Sequence, residues 1–321
     1  MFLSILFSLV WPLVIGLGTV KAGELDLTAA SKEGEVQWYT TMALPSATAV
    51  KAAFETRFPG ITVEVVRKQN TVLQQLMLTE RAAGKLKMDV HDGSVINSDY
   101  LVQRGFFKPY DVPNMRLLPE KFKKGMGLGA AFRGIVYVAA FNTKLVPGNK
   151  APRSYPELAR SGMQFMLDPR NADLWVAWEQ IWGKEKTERF LKELLAAKPI
   201  PVEGDMLKGQ LLASGEAPLA ILYRKTAGIL MMKGAPLSYR NDFSPLILSP
   251  QALSIGREAP HPNAALVFVD FLLSRDGQKI LSDIGEEAIL PLYAERDIIP
   301  IRSVRYQEFN YFVRKWRELL K

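Results

Sequence analysis

Residues 35–66 read EVQWYTTMALPSATAVKAAFETRFPGITVEVV, and this stretch decides the fold class. Its first six residues alternate and are rich in aromatic and β-branched side chains, which predicts a strand, and residues 61–66 predict another. Between them, residues 47–58 place apolar side chains at helical spacing, and Pro59 with Gly60 ends that helix. Strand, helix and strand in this order are typical of a parallel sheet covered by helices.

The same alternation continues along the rest of the chain. Residues 71–83 predict a helix, residues 88–94 a short strand, and residues 99–104 a further helix. A second series begins with a long apolar strand at residues 134–143. With 321 residues the length suits about two domains, so we expect two α/β units.

The N-terminus has the pattern of a secretory signal peptide. Residues 2–18 are almost wholly apolar, and Val20 and Ala22 provide small side chains where a signal peptidase reads them. We therefore expect residues 1–22 to be removed and the protein to reside in the periplasm of a Gram-negative cell. An uncleaved membrane anchor is the alternative, because an apolar stretch of this length can span a bilayer.

Composition excludes several classes of site and favours an anionic ligand. The chain contains no cysteine, so a disulfide scaffold, a thiol nucleophile and a zinc–thiolate site are all excluded. The formal net charge is +8 at pH 7, which suits an anionic ligand. We expect no nucleic-acid partner, because export separates the protein from nucleic acid and the basic residues are scattered rather than clustered.

Eight short motifs occur in an order and spacing that resemble one family of transport proteins. In the first half they are EGEVQWYTT (33–41), AFETRFPGITVEVV (53–66), LTERAAGKLKMDV (78–90) and LVQRGFFKPY (101–110). In the second half they are RGIVYVAAFNTKLV (133–146), LLASGEAPLAI (211–221), HPNAALVFVDFLLSRDGQKIL (261–281) and AILPL (288–292). Together they resemble the type 2 periplasmic solute-binding proteins of ABC importers, specifically the iron(III)-transport-like subgroup.

This resemblance implies a domain organisation and a set of partners. It implies two α/β lobes, each a mostly parallel sheet flanked by helices, joined by a two-strand hinge and binding a solute in the cleft between them. We expect lobe 1 to take residues 23–133 and 250–292, lobe 2 residues 134–249, and residues 293–321 to form a helical tail that packs on a lobe. The protein would be a monomer without catalytic activity or a cofactor, and its closed form would dock on an inner-membrane ABC permease driven by a separate ATPase.

Polar residues follow the predicted strands of the first half at their carboxyl ends, where open α/β sheets bind ligands. Thr40 and Thr41 follow the first strand, on a loop where members of the resembled family contact their ligand; a helix N-cap is the alternative role. Asn70 and Thr71 precede the second helix, where a cap and a ligand contact are both open. Ser94 ends the third strand beside a glycine, which leaves room for a ligand near the backbone.

Arginines of the second half are candidate anion ligands. Arg133 precedes the long apolar strand, at a position where iron-binding relatives carry an anion-contacting arginine; a surface salt bridge is the alternative. A guanidinium can hold a carboxylate or phosphate through two parallel hydrogen bonds. Asp168, Arg170 and Asn171 lie between a strand and a helix, and we expect Asp168 to be structural and the other two to contact the solute.

Residues 219–225 read LAILYRK, a buried-strand pattern that leads directly into a phenol and two cations. In the ferric-binding relatives this strand delivers two adjacent tyrosines whose phenolates bind the metal. Here Tyr223 is followed by Arg224 and Lys225, and buried cations repel a metal ion. We therefore expect a small organic anion, such as a carboxylate, phosphonate or sulfonate, with Fe(III) as the alternative solute. The start of a solvated helix is the structural alternative for Arg224 and Lys225.

The two histidines offer a rival function. His91 ends a predicted strand beside Asp92 and close to Ser94, an arrangement that an exported hydrolase could use, but residues this close in sequence seldom reach triad geometry. His261 begins a helix next to Pro262, and neither histidine has a metal-ligand partner at useful spacing. A ligand sensor coupled to a membrane receptor is a further alternative that sequence does not separate from transport.

Overall fold

The strands of the protein form one mixed sheet, and helices flank it. The computed structural model describes residues 25–292 and 297–320. The predicted signal peptide, residues 1–22, lies outside these ranges. Within them, no helix combines the length and the apolar character needed to cross a membrane.

Strands and helices alternate through most of the chain. The strands are β1 Glu35–Thr40, β2 Thr62–Arg67, β3 Val90–Ser94, β4 Phe107–Lys108, β5 Ala130–Asn142, β6 Phe165–Leu167, β7 Ile200–Pro201, β8 Leu219–Tyr223, β9 Leu237–Tyr239, β10 Leu246–Gly256, β11 Glu287–Ala288 and β12 Ile298–Pro300. The helices are α1 Leu27–Glu33, α2 Leu44–Arg57, α3 Asn70–Ala82, α4 Val95–Val102, α5 Tyr155–Arg160, α6 Asp173–Trp182, α7 Lys184–Ala196, α8 Asp205–Ser214, α9 Arg224–Met232, α10 Pro262–Leu273, α11 Arg275–Asp283, α12 Ile289–Leu292 and α13 Tyr306–Leu319.

Two groups of parallel strands are joined by two long antiparallel strands. The main path of the sheet is β2-β1-β3-β10-β5-β8-β6-β7. Strand β1 pairs in parallel with β2 and β3, and β6 pairs in parallel with β7 and β8. Between these groups, β10 and β5 run antiparallel to each other and to their outer neighbours β3 and β8. We call the part around β1–β3 lobe 1 and the part around β6–β8 lobe 2; the residue boundaries given above remain a prediction.

The two connecting strands are long because their side chains are buried along almost their whole length. All residues of β10 are buried, and so are all residues of β5 except Ile135. A strand covered on both faces reads as a near-continuous apolar run, and VYVAAF at residues 136–141 has that character. Close contact between β5 and β10 also needs Gly134, because a Cβ there would lie 2.1 Å from Cδ1 of Leu248.

Two local boundaries differ from the sequence-based expectation. Helix α4 begins at Val95 instead of residue 99, because Val95 and Ile96 are buried and their packing outweighs the weak helix preference of β-branched residues. Arg133 lies within β5, which begins at Ala130, and pairs with Gln251 of β10.

The capping role that was the alternative to ligand contact for Thr40, Thr41, Asn70 and Thr71 does not match the structure. Helix α2 has Ala43 as its N-cap residue, so neither Thr40 nor Thr41 caps it. Helix α3 begins at Asn70 after the N-cap residue Gln69, and it has no side-chain cap hydrogen bond. The four threonine and asparagine side chains at these two helix starts are therefore not explained by N-capping.

Candidate functional site

The loops after the strands of both lobes meet around one cavity of about 630 Å³. Lobe 1 contributes residues that follow β1, β2 and β3, and lobe 2 contributes residues that follow β6 and β8. Of the eleven expected ligand contacts, eight line this cavity: Thr41, Asn70, Thr71, Ser94, Arg133, Arg170, Asn171 and Tyr223. The other three, Thr40, Arg224 and Lys225, do not line it.

Thr40 supports the site from behind through Asp92. Thr40 is fully buried; its hydroxyl donates to Oδ2 of Asp92 and accepts from the backbone N–H of Met42 at 3.0 Å. Oδ1 of Asp92 accepts from the hydroxyl of Thr41 at 3.2 Å and from Nη2 of Arg133 at 3.0 Å. A single buried carboxylate therefore fixes the loop after β1 and the guanidinium on β5.

Arg133 combines a buried charge with a donor that the protein leaves unused. Its residue exposure is 5%, and Nη2 also donates to the hydroxyl of Thr41 at 3.1 Å. Nη1 lies 3.8 Å from Oε2 of Glu286, so two carboxylates offset its charge. Nε makes no hydrogen bond to any described residue. Arg133 lines the cavity, so a solute there can meet a guanidinium whose hydrogen-bonding capacity is only partly used by the described residues.

Arg224 and Lys225 begin α9 and form ion pairs with the two glutamates before α12. Arg224 binds Glu287 through two parallel hydrogen bonds of 3.0 and 2.7 Å, and Lys225 donates to Glu286 at 2.7 Å. These contacts draw both side chains away from the cavity, which the sequence did not reveal because the partners are more than 60 positions apart. Burial acts to raise the pKa of Glu286, but Arg133 and Lys225 outweigh it and hold the pKa below its usual 4.5.

The loop after β6 is held by Asp168, which is buried. Its carboxylate accepts two hydrogen bonds from the guanidinium of Arg170, at 3.0 and 2.7 Å, and one from the backbone N–H of Gly204 at 2.9 Å. Burial acts to raise the pKa of Asp168, but these hydrogen bonds outweigh it and lower the pKa. Arg170 is thus oriented at the cavity by a carboxylate that lies behind it, and Asn171 follows it with Oδ1 3.3 Å from the hydroxyl of Tyr223.

Sequence reasoning missed a second tyrosine in the site. Tyr137 of β5 lines the cavity, and its ring centroid lies 5.3 Å from that of Tyr223 in an edge-to-face arrangement. The Tyr137 hydroxyl donates to the carboxylate of Asp173 at 2.8 Å. Burial raises the pKa of Asp173 and raises the pKa of both phenols. The sequence did contain an indication of Tyr137. Arg133, Ile135 and Tyr137 are alternate residues of one strand, and alternate residues share one face of a sheet.

Other lining residues were not among the candidate ligand contacts. They add one cation, several neutral hydrogen-bonding groups and one ring: Arg67, Gln69, Asn97, Ser249, Gln251 and Phe309. Arg67 ends β2 and is exposed, and its Nε donates to the carbonyl of Met42 at 3.2 Å. Phe309 comes from α13, more than 80 residues beyond the nearest candidate of lobe 2, so no motif around the strands pointed to it.

Neither histidine belongs to the cavity. His91 lies within β3, stacks on Phe107 at 5.4 Å between ring centroids, and has its pKa lowered to about 4 by burial. His261 places Nδ1 2.8 Å from Oδ2 of Asp89, outside the cavity. Within residues 25–292 and 297–320, no three His, Asp or Glu side chains are grouped so that they could hold a metal ion. A hydrolase mechanism that uses a histidine base therefore has no support in this site.

The sequence pattern of bacterial extracellular solute-binding proteins matches residues 42–279. The chain belongs to this family. Proteins of this kind are solute-binding components of ABC transporters, so the expected family, its α/β fold and its transport role are confirmed. No curated protein sequence matches the chain.

Solved structures of low sequence identity share the fold. Iron-bound HitA from Pseudomonas aeruginosa matches with a TM-score of 0.73 and 19% identity over 88% of this chain and 99% of that one. AfuA from Actinobacillus pleuropneumoniae, with fructose-6-phosphate bound, matches with a TM-score of 0.67 and 18% identity over 89% and 98%. A Trichodesmium protein, IdiA or FutA, in complex with iron and citrate, matches with a TM-score of 0.73 and 16% identity over 89% and 98%.

Proposed function

We propose that this protein captures a small organic anion in the cleft between its lobes and delivers it to an ABC permease in the inner membrane. The periplasm is the place of capture, and the protein acts as a monomer without catalysis. The observation that carries the proposal is the convergence of three arginines, Arg67, Arg133 and Arg170, on one cavity whose other walls are mainly hydroxyl and amide groups.

The arrangement of these arginines supports oxyanion binding. Arg133 and Arg170 are each oriented by a carboxylate that does not line the cavity, Asp92 and Asp168, so part of each guanidinium remains for a solute. Planar guanidinium groups bind carboxylate and phosphate oxygens with charge-assisted hydrogen bonds, which are about twice as strong as neutral ones. Arg67 is exposed at the rim and adds positive charge where a solute enters.

The carboxylate in the cavity does not oppose this proposal. Asp173 accepts hydrogen bonds from Tyr137 and from the side chain of Ser249, and burial raises its pKa. Its oxygens are therefore engaged with the protein, and the group favours its neutral form more than an exposed aspartate does. Lys225 contributes at a distance, because it binds the same Glu286 that lies next to Arg133.

A thermal-shift screen tests the proposal. Carboxylates, sugar phosphates, phosphonates and sulfonates are added to the purified protein, and the melting temperature is measured. A solute present at about 100 times its dissociation constant stabilises the folded state by roughly 2.7 kcal/mol, which a melting curve detects. A series in which neutral sugars shift the melting temperature and the anions do not would contradict the proposal.

Fe(III) is a second candidate because of the phenol pair. Tyr137 and Tyr223 lie edge to face at the cavity wall, with Asp173 bound to the first, and hard Fe(III) prefers oxygen ligands of this kind. The solved structures of HitA and of the Trichodesmium protein contain iron, in the second case together with citrate. Against iron, burial raises the pKa of both phenols, so each proton is held more tightly than in a free tyrosine. Ferric citrate should colour the protein if iron binds these phenolates, and a colourless protein removes this candidate.

A transport role is separable from a sensing role by the membrane partner. Reconstitution with a candidate permease and ATPase in vesicles measures whether the solute-loaded protein stimulates ATP hydrolysis. For a transport role, we expect the solute-loaded protein to stimulate ATP hydrolysis in these vesicles. For a sensing role, we expect the loaded protein to leave ATP hydrolysis unchanged.

A further inference from the structure

The C-terminal segment, residues 298–320, crosses from one lobe to the other. It lies beyond residue 279, where the match to the family pattern ends. Its helix α13 contacts α4, which follows β3 in lobe 1, and also α6, which follows β6 in lobe 2. Sequence analysis predicted a tail on one lobe, and the amphipathic helix is present, but its contacts extend to both lobes.

On lobe 1 the contact is small and polar at its centre. The backbone N–H of Tyr306, the first residue of α13, donates to Oδ2 of Asp99 at 2.9 Å. The ring of Tyr306 packs on Tyr100 with 4.5 Å between centroids. Just before the helix, the N–H of Ser303 donates to the carbonyl of Gly125 at 2.8 Å.

On lobe 2 the contact is aromatic and buried. Phe312 lies 5.3 Å from Trp175 between ring centroids, and Trp316 lies 5.9 Å from Trp178. The indole N–H of Trp316 also donates to the backbone carbonyl of Asp168 at 3.3 Å. Two rings of α13 are buried against lobe 2, whereas on lobe 1 the helix makes one part-buried hydrogen bond and one ring contact, so the helix is fixed to lobe 2 more firmly than to lobe 1.

Between these two contacts the helix forms part of the cavity wall. Phe309 is buried and lines the cavity, one helical turn after Tyr306 and one turn before Phe312. The contact of Trp316 with Asp168 ties the same helix to the loop that carries Arg170. A movement of one lobe relative to the other therefore has to break a contact of α13 or displace a wall of the solute site.

We propose that α13 is a clasp across the cleft that stays on lobe 2 and releases lobe 1 when the protein opens. Its contact with Asp99 and Tyr100 holds the ligand-free lobes together, and loss of that contact shifts the population toward the open form. A ligand-free protein that is partly closed in advance binds its solute more tightly, because less of the binding free energy is used to close it.

The test uses the full chain with two spin labels, which the absence of native cysteine allows. Gln75→Cys on α3 and Lys192→Cys on α7 place one label on an exposed helix position in each lobe. In this background, the double variant Asp99→Ala/Tyr306→Ala removes the hydrogen bond to Asp99 and the ring contact with Tyr100, and leaves only the backbone hydrogen bond of Ser303 to Gly125 among the lobe 1 contacts described above. We expect the label–label distance of the ligand-free protein to become longer and its distribution broader than in the parent.

Tyr311→Ala is the matched control. Tyr311 lies on the same helix, is about half exposed, and has its ring beside Phe312 of its own helix. We expect this variant to keep the parental distance distribution. Equal distributions in the parent and in the Asp99→Ala/Tyr306→Ala variant would overturn the proposal. If that variant does not fold, Asp99→Ala alone is measured: a longer and broader distance distribution supports the proposal, and a distribution equal to that of the parent overturns it. The measurement is made without solute, so its outcome is independent of whether the solute is an anion.

Discussion

Asp92 in the middle of β3 and Arg133 on β5 form an ion pair of 3.0 Å in which both side chains are almost completely buried. The carboxylate also accepts hydrogen bonds from the hydroxyls of Thr40, the last residue of β1, and of Thr41 in the loop that follows, so three elements of the cleft depend on one acidic group. Breaking a buried pair by removing one charge leaves the other uncompensated in a medium that solvates it poorly.

Asp92→Asn is therefore expected to destabilise the protein by about 3 kcal/mol, because the buried guanidinium of Arg133 keeps only the more distant Glu286 as a counter-charge. Urea unfolding measures the loss. Asp283→Asn is the control, since Asp283 forms an exposed pair with Lys279 one turn away and such pairs contribute about 0.3–0.5 kcal/mol. Equal losses in the two variants would show that the buried pair has no special weight.

Substitution of Arg67 should weaken solute binding without lowering the stability of the fold. Arg67→Gln removes a cavity-lining cation that makes one hydrogen bond to the backbone and is exposed, so the free energy of unfolding should change by less than about 0.5 kcal/mol. A charge-assisted hydrogen bond contributes about 1.5–3 kcal/mol, so affinity for the best anion of the thermal-shift screen should fall about 10- to 100-fold. Isothermal titration measures this loss.

Arg160→Gln is the matched control for this experiment. Arg160 ends α5 and lies 3.7 Å from Glu193 on the surface of lobe 2, outside the cavity. Its substitution changes the net charge by the same amount, so it should leave the affinity unchanged. A similar loss in both variants would mean that overall charge, and not a contact in the cleft, attracts the anion.

Much of the fold could be predicted from the sequence, because strand and helix periodicity are local signals. Two parts of the site could be predicted less well, for physical reasons. Arg224 and Lys225 were expected to face the solute, but Glu287 and Glu286 bind them, and pairing across more than 60 residues is not encoded in local spacing. Tyr137 was hidden within an apolar run, although its position two and four residues after Ile135 and Arg133 indicated a shared face.

Glu286 should give the protein a defined dependence of stability on pH. Burial acts to raise its pKa, but the charge of Arg133 and the hydrogen bond from Lys225 lower it below 4.5 in the folded state. A carboxylate with a depressed folded pKa stabilises the fold above its unfolded pKa, and this contribution is lost as the pH falls through the folded value. Glu286→Gln should therefore be less stable than wild type by roughly 2 kcal/mol at pH 7.

The difference in the free energy of unfolding between wild type and Glu286→Gln is expected to be constant above about pH 5. It is expected to shrink as the pH falls below 4.5. Urea unfolding at intervals between pH 3 and pH 7 measures it. Comparison of variant with wild type cancels the contributions of the other acidic groups. A difference that grows toward low pH would contradict the assigned direction of the pKa shift.

Close approach of the two long connecting strands should depend on Gly134. A Cβ at this position would lie 2.1 Å from Cδ1 of Leu248 on β10, and Leu248 is fully buried, so Gly134→Ala forces the pair apart or the leucine out of its rotamer. Overpacking of this kind costs about 1–3 kcal/mol, measured by thermal or urea unfolding.

Leu248→Ala removes the clashing methyl groups, so the cost of Gly134→Ala should be smaller in that background than in wild type. Gly228→Ala is the opposite control: Gly228 lies inside α9 with no heavy atom within 4 Å of the added Cβ. Alanine in place of glycine in a helix interior should stabilise the protein by about 0.5–1 kcal/mol. If Gly134→Ala were equally stabilising, the strands would have room to spare at this crossing, and the approach of β5 to β10 would not require glycine.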